Sequence, residues 1–286
     1  MAFAYPVQKI QDWLTQQWVI LRGQKINPEA YAWLMGPFGN LEAIGEDYIR
    51  QFALKEGLIM EKGGASKGLI PEMSQLNLPD TEWMQLSREV IRFYEKTAEY
   101  KLDFAVHWNP FFKVCGILLN KLFSKRLNQL NVPTSNLKES EVLNSELITL
   151  SDPVSKVVKY TFWYRSIQST GKVVYSGVYG TCTLPSGKTC VKAVFPLPNG
   201  NATVLMSPKV DKDGALILDS SGERFGDAGF YFLLKDAKGH YWSQFIRSFR
   251  DRLVIKSAQG HLSAEQTLTL WHKKVLRFNY NIKLKV

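Results

Sequence analysis

The chain has 286 residues, of which 45% are apolar and 22% charged, the composition of an ordinary folded protein. That excludes a disordered chain, a collagen-like chain and a small disulfide scaffold. The formal charge of +10 is unevenly placed. Residues 1–150 carry 16 basic and 17 acidic side chains, and residues 151–286 carry 20 and 9, so the whole excess lies in the second half.

Taken in chain order, the first half reads as helical. The N-terminus has no basic segment followed by an apolar one, so no secretory leader is expected. A first helix is predicted from Pro6 to about Leu21, with proline tolerated in its opening turn. A second runs from a capping Asn40 to Lys55 and stops at Gly57. A third starts at Thr81 after Asp80 and is predicted to continue to Trp108. Its core face holds Trp83, Leu86, Val90, Tyr94, Thr97, Ala105 and Trp108, and its polar face Arg88, Arg92, Lys96, Glu99 and Asp103. Asn109 precedes Pro110, which breaks the pattern.

A fourth helix is predicted from Phe111 to Asn128. It is apolar nearly all round, with Lys121, Lys125 and Arg126 at its end. Such a helix suits either the concave face of a sheet, its cations favoured by the helix dipole, or an anionic membrane surface. The stretch 131–153 reads as a connector, with a short helical or strand piece between Ser140 and Leu150.

The second half alternates with period two. In the last segment Leu276, Phe278, Tyr280, Ile282 and Leu284 interleave with Arg277, Asn279, Asn281, Lys283 and Lys285, the pattern of a half-buried strand. An earlier segment sets Val158, Tyr160, Phe162 and Tyr164 against Lys159, Thr161, Trp163 and Arg165, and the aromatic row is expected to face the core. Further strands are predicted at Lys172–Thr183, Lys188–Phe195, Ala202–Ser207, Ala215–Asp219, Gly229–Leu234, Tyr241–Ile246, Leu253–Ser257 and Glu265–Trp271. Turns at Thr170-Gly171, Asn199-Gly200, Asp213-Gly214, Lys238-Gly239 and Gln259-Gly260 separate them.

About ten short strands with hairpin-length links pair antiparallel, and a meander of that size curls. The expected fold is therefore α+β: an N-terminal helical segment (1–130) packed on a C-terminal antiparallel barrel or strongly curved sheet (154–286), sharing one core with it. Gly177 and Gly180 are expected to let the sheet bend.

Three cysteines and no secretory signal point to a reducing, cytoplasmic compartment. Cys182 and Cys190 flank Leu184-Pro185-Ser186-Gly187. A left-handed Gly187 would place them opposite each other, close enough for a bridge, with two reduced packing thiols the favoured state. No uncharged apolar run reaches the ~18 residues of a membrane span.

Candidate chemistry is sparse. Glu95, Glu99, Asp103 and His107 form a four-residue spacing on the third helix, but on its solvated face, and the four histidines show no zinc spacing, so neither metal nor cofactor is expected. The loop Asp219–Tyr231 groups acids, a base and three glycines. If the chain is an enzyme, the catalytic candidates are Glu223, Arg224, Asp227, Tyr231 and His107. Tyr164, Tyr175, Tyr179, Phe230, Phe232 and Trp242 are the candidate ligand-binding aromatics of a barrel mouth.

Three functions follow. The first is binding of an apolar, and in some cases anionic, small molecule or lipid between helices and curved sheet. The second is a cofactor-independent isomerase, cyclase or hydrolase in the same cavity. The third is a basic module for an anionic membrane surface or a protein. Nucleic acid is the least favoured partner, since the basic residues are dispersed and no recognition motif accompanies them.

Overall fold

A computed structural model describes residues 2–6, 8–40, 45–64, 67–119, 132–133 and 141–285, with only the backbone of Cys115, Leu118 and Leu119. In chain order these give α1 (Ile10–Arg22), β1 (Gln24–Ile26), α2 (Glu46–Lys55), β2 (Ile59–Lys62), α3 (Asp80–Gln85), α4 (Arg88–Glu95), β3 (Tyr100–Trp108) and α5 (Pro110–Leu119). There follow β4 (Glu141–Ser151), β5 (Val158–Ile167), β6 (Val173–Thr183), β7 (Thr189–Leu197), β8 (Gly200–Val210) and β9 (Leu216–Asp219). The chain ends with β10 (Phe230–Lys235), β11 (Tyr241–Phe245), β12 (Phe249–Ala258), β13 (His261–Leu270) and β14 (Lys273–Leu284).

Every strand segment predicted in the second half is found, and the turn residues between them behave as their chemistry requires. Gly171, Gly214, Gly239 and Gly260 have φ between +67° and +83°, and Asn199 has φ +55°, the left-handed region that glycine and asparagine enter at least cost. Pairing between the strands is antiparallel, and one isolated parallel bridge outside them joins Gly39 to Pro198.

Ten strands close into a barrel in the order β8-β7-β6-β5-β4-β3-β14-β13-β12-β9, with β9 returning to β8. The closure uses only Ser207–Val210 of β8. The first half of the same strand, Gly200–Val204, pairs instead with β10, from which β11 and β1 extend outward.

Several stretches differ from the expected helical first half: Gln24–Ile26 and Ile59–Lys62 are strands, and α2 starts at Glu46 with Gly45 at its N-cap rather than at Asn40. The helix predicted to run unbroken to Trp108 ends much earlier. The extended backbone at Leu86 and Ser87 separates α3 from α4, and from Tyr100 onward the chain is strand. In that segment Tyr100, Leu102, Phe104 and Val106 are buried in the barrel core while Lys101, Asp103 and His107 lie on the opposite row. Period two over nine residues with five large apolar side chains outweighs a helical register that relied on Ala105 and Trp108 alone. The metal-type spacing Glu95, Glu99, Asp103, His107 is therefore not one helix face. Glu95 accepts from the Met73 backbone N–H at 2.8 Å, and Asp103 pairs with Lys283 at 2.8 Å. Among the described residues no cluster suited to a metal ion occurs. The strand piece allowed for near Ser140–Leu150 is β4, which joins β3 to β5 within the ring.

The two ends of the barrel are unlike. Val90, Phe93 and Tyr94 of α4 and Met73 and Leu76 before it enter the main core and close one end. At the other end stand Trp108, Phe195, Phe230, Phe232, Phe249, Leu268 and Leu276, together with α1 and α5. On the outside, Tyr48, Ile49 and Phe52 of α2 cover Tyr160, Phe162 and Tyr164. Cys182 and Cys190 are direct register partners, Gly187 has φ +81°, and both thiols are free. Burial pushes the Cys182 thiol up to about 12 and raises Cys190 as well. Among the described residues no helix is long and apolar enough to cross a membrane.

Candidate functional site

The barrel interior contains two adjoining spaces. The outer one, at the end bordered by α1 and α5, has a volume of about 490 Å³, within the ~300–1,000 Å³ of ordinary ligand pockets. Its wall is largely apolar: Val19 of α1, Trp108 of β3, Phe195 of β7, Phe230 and Phe232 of β10, Phe249 of β12 and Leu276 of β14. Asp12, Thr15 and Gln16 of α1 border it on one side, and Gly116 of α5 and Val132 on another. Gln16 Nε2 donates to the Pro198 carbonyl at 2.8 Å, which ties α1 to the β7–β8 turn. Gly116 lies flat on the Trp108 indole, where any Cβ would collide with the ring, and Trp108 Nε1 donates to the Pro133 carbonyl at 2.7 Å.

The inner space is smaller, about 70 Å³, and sits between the outer one and α4. Tyr175, Phe195, Val204, Asp251 and Gln266 line both, so the two share a wall. Arg165 of β5 is 5% exposed and projects among aromatic rings, its guanidinium 3.8 Å from the Trp163 ring centre and 4.8 Å from that of Tyr175. Its Nη2 donates to the Tyr179 hydroxyl at 2.8 Å, while its Nε has no partner among the described residues. Gly177, between Tyr175 and Tyr179, leaves the space that the Phe195 ring fills.

Asp251 of β12 is 6% exposed. Its Oδ2 accepts from Gln266 Nε2 at 2.7 Å, Gln266 Oε1 accepts from the Tyr280 hydroxyl at 3.3 Å, and Asp251 Oδ1 has no partner among the described residues. Burial pushes its carboxyl up to about 7; the Gln266 hydrogen bond works against this and the charge of Asp219 adds to it. Burial likewise raises the tyrosines 175, 179 and 280, with Arg165 opposing it. A carboxyl held near neutrality can give or take a proton at physiological pH, and it costs far less to bury neutral than ionised.

The aromatics singled out in the sequence divide three ways. Tyr175 borders both spaces, Tyr179 the inner one, and Phe230 and Phe232 the outer one. Tyr164 faces outward beneath α2. The β5 row expected to face the core is the outer row, because α2 shields it, and the row holding Trp163 and Arg165 faces the interior. Trp242 packs with α1 and donates to Asp236 at 2.9 Å, away from both spaces.

The five catalytic candidates do not meet. Glu223 is exposed and pairs with Arg247 and Arg250. Asp227 Oδ2 accepts the backbone N–H groups of Glu223 and Arg224, both at 3.1 Å, so it holds the loop shape. Arg224 is exposed. Tyr231 is buried in a separate cluster with Trp33, Phe225 and Phe245, and its hydroxyl donates to the Asp227 carbonyl at 2.6 Å. His107 lies on the outer row of β3 opposite Arg277. Two buried charged residues of the interior, Arg165 and Asp251, went unnoticed in the sequence. Their signal was phase: each is a charged residue in step with an apolar row, Trp163-x-Arg165-x-Ile167 and Phe249-x-Asp251-x-Leu253-x-Ile255.

The predicted basic end of the helix at 111–128 lies outside the described residues beyond Leu119. On the described part, Phe111, Val114 and Ile117 are exposed, as are Ile10, Leu14, Trp18 and Leu21 of α1.

No family model matches the sequence, and no solved structure matches it. The chain is similar to the uncharacterized membrane protein YndJ of Bacillus subtilis (strain 168), with 23% identity over 241 residues covering 84% of this chain and 41% of that protein. It thus spans less than half the length of the relative it matches.

Proposed function

We propose that the protein binds an apolar small molecule or lipid inside the barrel. The observation that supports this best is the outer cavity itself: about 490 Å³ walled by aromatic and aliphatic side chains, with Asp251 and Gln266 at its inner limit. A space of that size and lining has little to offer water and much to offer a hydrocarbon or ring system. The few polar groups at one end would set the guest's orientation.

Native mass spectrometry of the purified protein, followed by titration with a fatty-acid and polyketide panel, tests the reading. Adducts in the small-molecule range are expected, and they should be lost in Ala202→Trp, which fills the cavity wall. A chain that carries no guest and takes up no apolar probe refutes it. The unbridged, directly opposed Cys182 and Cys190 support a cytoplasmic, reducing setting.

A second reading draws on a different observation. The ridge Ile10, Leu14, Trp18, Leu21 on α1 and the exposed Phe111, Val114 and Ile117 on α5 belong to the two helices that border the cavity. Apolar ridges on paired surface helices suit contact with lipid, and the relative carries the name of a membrane protein. The end of the barrel that α1 and α5 border would then face the bilayer. Flotation with vesicles checks it: loss of binding in Leu14→Glu/Trp18→Glu is expected, and no flotation of the parent chain at low salt removes it.

A further inference from the structure

The inner chamber poses a question that the outer cavity does not answer. A guanidinium keeps its charge at any physiological pH. Arg165 is 5% exposed, yet among the described residues no carboxylate pairs with it. Its Nη2 donates to the Tyr179 hydroxyl and the Tyr280 hydroxyl is a further hydrogen-bond neighbour, yet among the described residues nothing accepts from the Nε–H. Ring stacking on Trp163 and Tyr175 stabilises a cation but provides no acceptor for that N–H. A buried charge without a counter-ion is costly, and a missing acceptor adds to the cost. The Tyr179 hydroxyl, having accepted from Arg165, still has its own proton to donate.

From these contacts we infer that the inner chamber is an anion pocket, which receives the carboxylate of a monocarboxylic acid whose apolar body fills the outer cavity, with Arg165 as its counter-ion. The inference rests on the binding function proposed above and specifies its ligand class. The planar edge of a guanidinium matches a carboxylate in two parallel hydrogen bonds, and the free Nε lies on that edge. The chamber's 70 Å³ admits only a few atoms, and among the described residues Arg165 is the one cationic side chain lining it. A phosphate ester, with close to two negative charges and three acceptor oxygens, needs more donors than this. Asp251 on the shared wall does not oppose the acid while it is itself protonated, and its hydroxyl can then donate to the second carboxylate oxygen.

The experiment compares dodecanoic acid, dodecan-1-ol and methyl dodecanoate by isothermal titration calorimetry at pH 6.5, on the full chain and on Arg165→Met, Arg165→Lys and Tyr179→Phe. The acid should bind the parent chain at least tenfold more tightly than the alcohol or the ester. Arg165→Met should bring the acid down to the alcohol's affinity and leave the alcohol unchanged. Arg165→Lys keeps the charge without the fork or the stacking and should lose at least threefold for the acid alone, as should Tyr179→Phe. Equal binding of acid and alcohol by the parent chain overturns the anion pocket and leaves the apolar cavity standing. So does an acid preference that survives in Arg165→Met. If that variant does not fold, an undiminished preference in both Arg165→Lys and Tyr179→Phe overturns it equally. Failure of all three probes to bind removes the cavity reading and the pocket together.

Discussion

Asp251→Asn should flatten the protein's stability against pH. The carboxyl is raised from 3.8 in the unfolded chain to about 7 in the fold, chiefly by burial. A carboxyl raised in this way contributes fully below the unfolded value, and its contribution is lost as pH climbs through the folded one. At ~1.36 kcal/mol per pH unit of displacement the full swing is about 4 kcal/mol, of which roughly 2 kcal/mol falls between pH 5.5 and 8.5. Asparagine keeps the shape and the partner in Gln266 but cannot ionise. Urea unfolding of both proteins at pH 5.5, 7 and 8.5 reads the difference directly. The parent chain should lose about 2 kcal/mol more than the variant across that interval, and the variant should be the more stable of the two at pH 8.5. Parallel stability curves would show that Asp251 is ionised in the fold, and the description of a neutral carboxyl in an apolar wall would be wrong.

Further outcomes follow from other contacts. Gly116→Val should drive the Trp108 ring toward the outer cavity, costing about 1–3 kcal/mol as overpacking and weakening any apolar probe; an unchanged melting temperature would contradict the contact. Cys182, raised to about 12, should be thiolate in roughly one molecule in ten thousand at pH 8. Peptide mapping after iodoacetamide treatment should therefore find Cys182 and Cys190 labelled only once denaturant is added, and rapid labelling of the folded chain would contradict their burial. Glu223→Gln should leave probe binding unchanged, since that side chain is exposed and paired with arginines; a tenfold loss would return the Asp219–Tyr231 loop to the site.

The strands of the second half were legible because their side chains alternate and most of them end at a turn residue that can take positive φ. The register of Cys182 with Cys190 followed from counting across one three-residue loop. Strand β3 was not legible, because Tyr100–Trp108 follows directly on a true helix and continues its apolar spacing for several residues. The orientation of β5 was misread for a different reason. Alternation separates two faces without saying which is inside, and the rule that the more polar face meets solvent fails when α2 covers the outside and the interior is a chamber that needs a charge. Arg165 and Asp251 were hidden by the same rule. The loop at Asp219–Tyr231 attracted attention through its composition, but its acids serve the loop's own backbone and neighbouring arginines.

Strand β8 divides its allegiance: residues 207–210 join β9 and residues 200–204 join β10. The staves of the cask are therefore parted along one line, beside Phe249 and Asp251, where β12 has no strand partner beyond its pairing with Asp219 on that side. Elsewhere around the circumference, separating two neighbours means breaking a ladder of main-chain bonds, each worth ~1 kcal/mol net. Along this line the ladder gives way to Ser220, whose N–H donates to the Asp251 carbonyl at 2.9 Å and whose hydroxyl oxygen accepts from the Asp251 N–H at 2.7 Å. The break in the ladder is thus written into the hydrogen-bonding of a single strand, and the other staves keep their pairing around it.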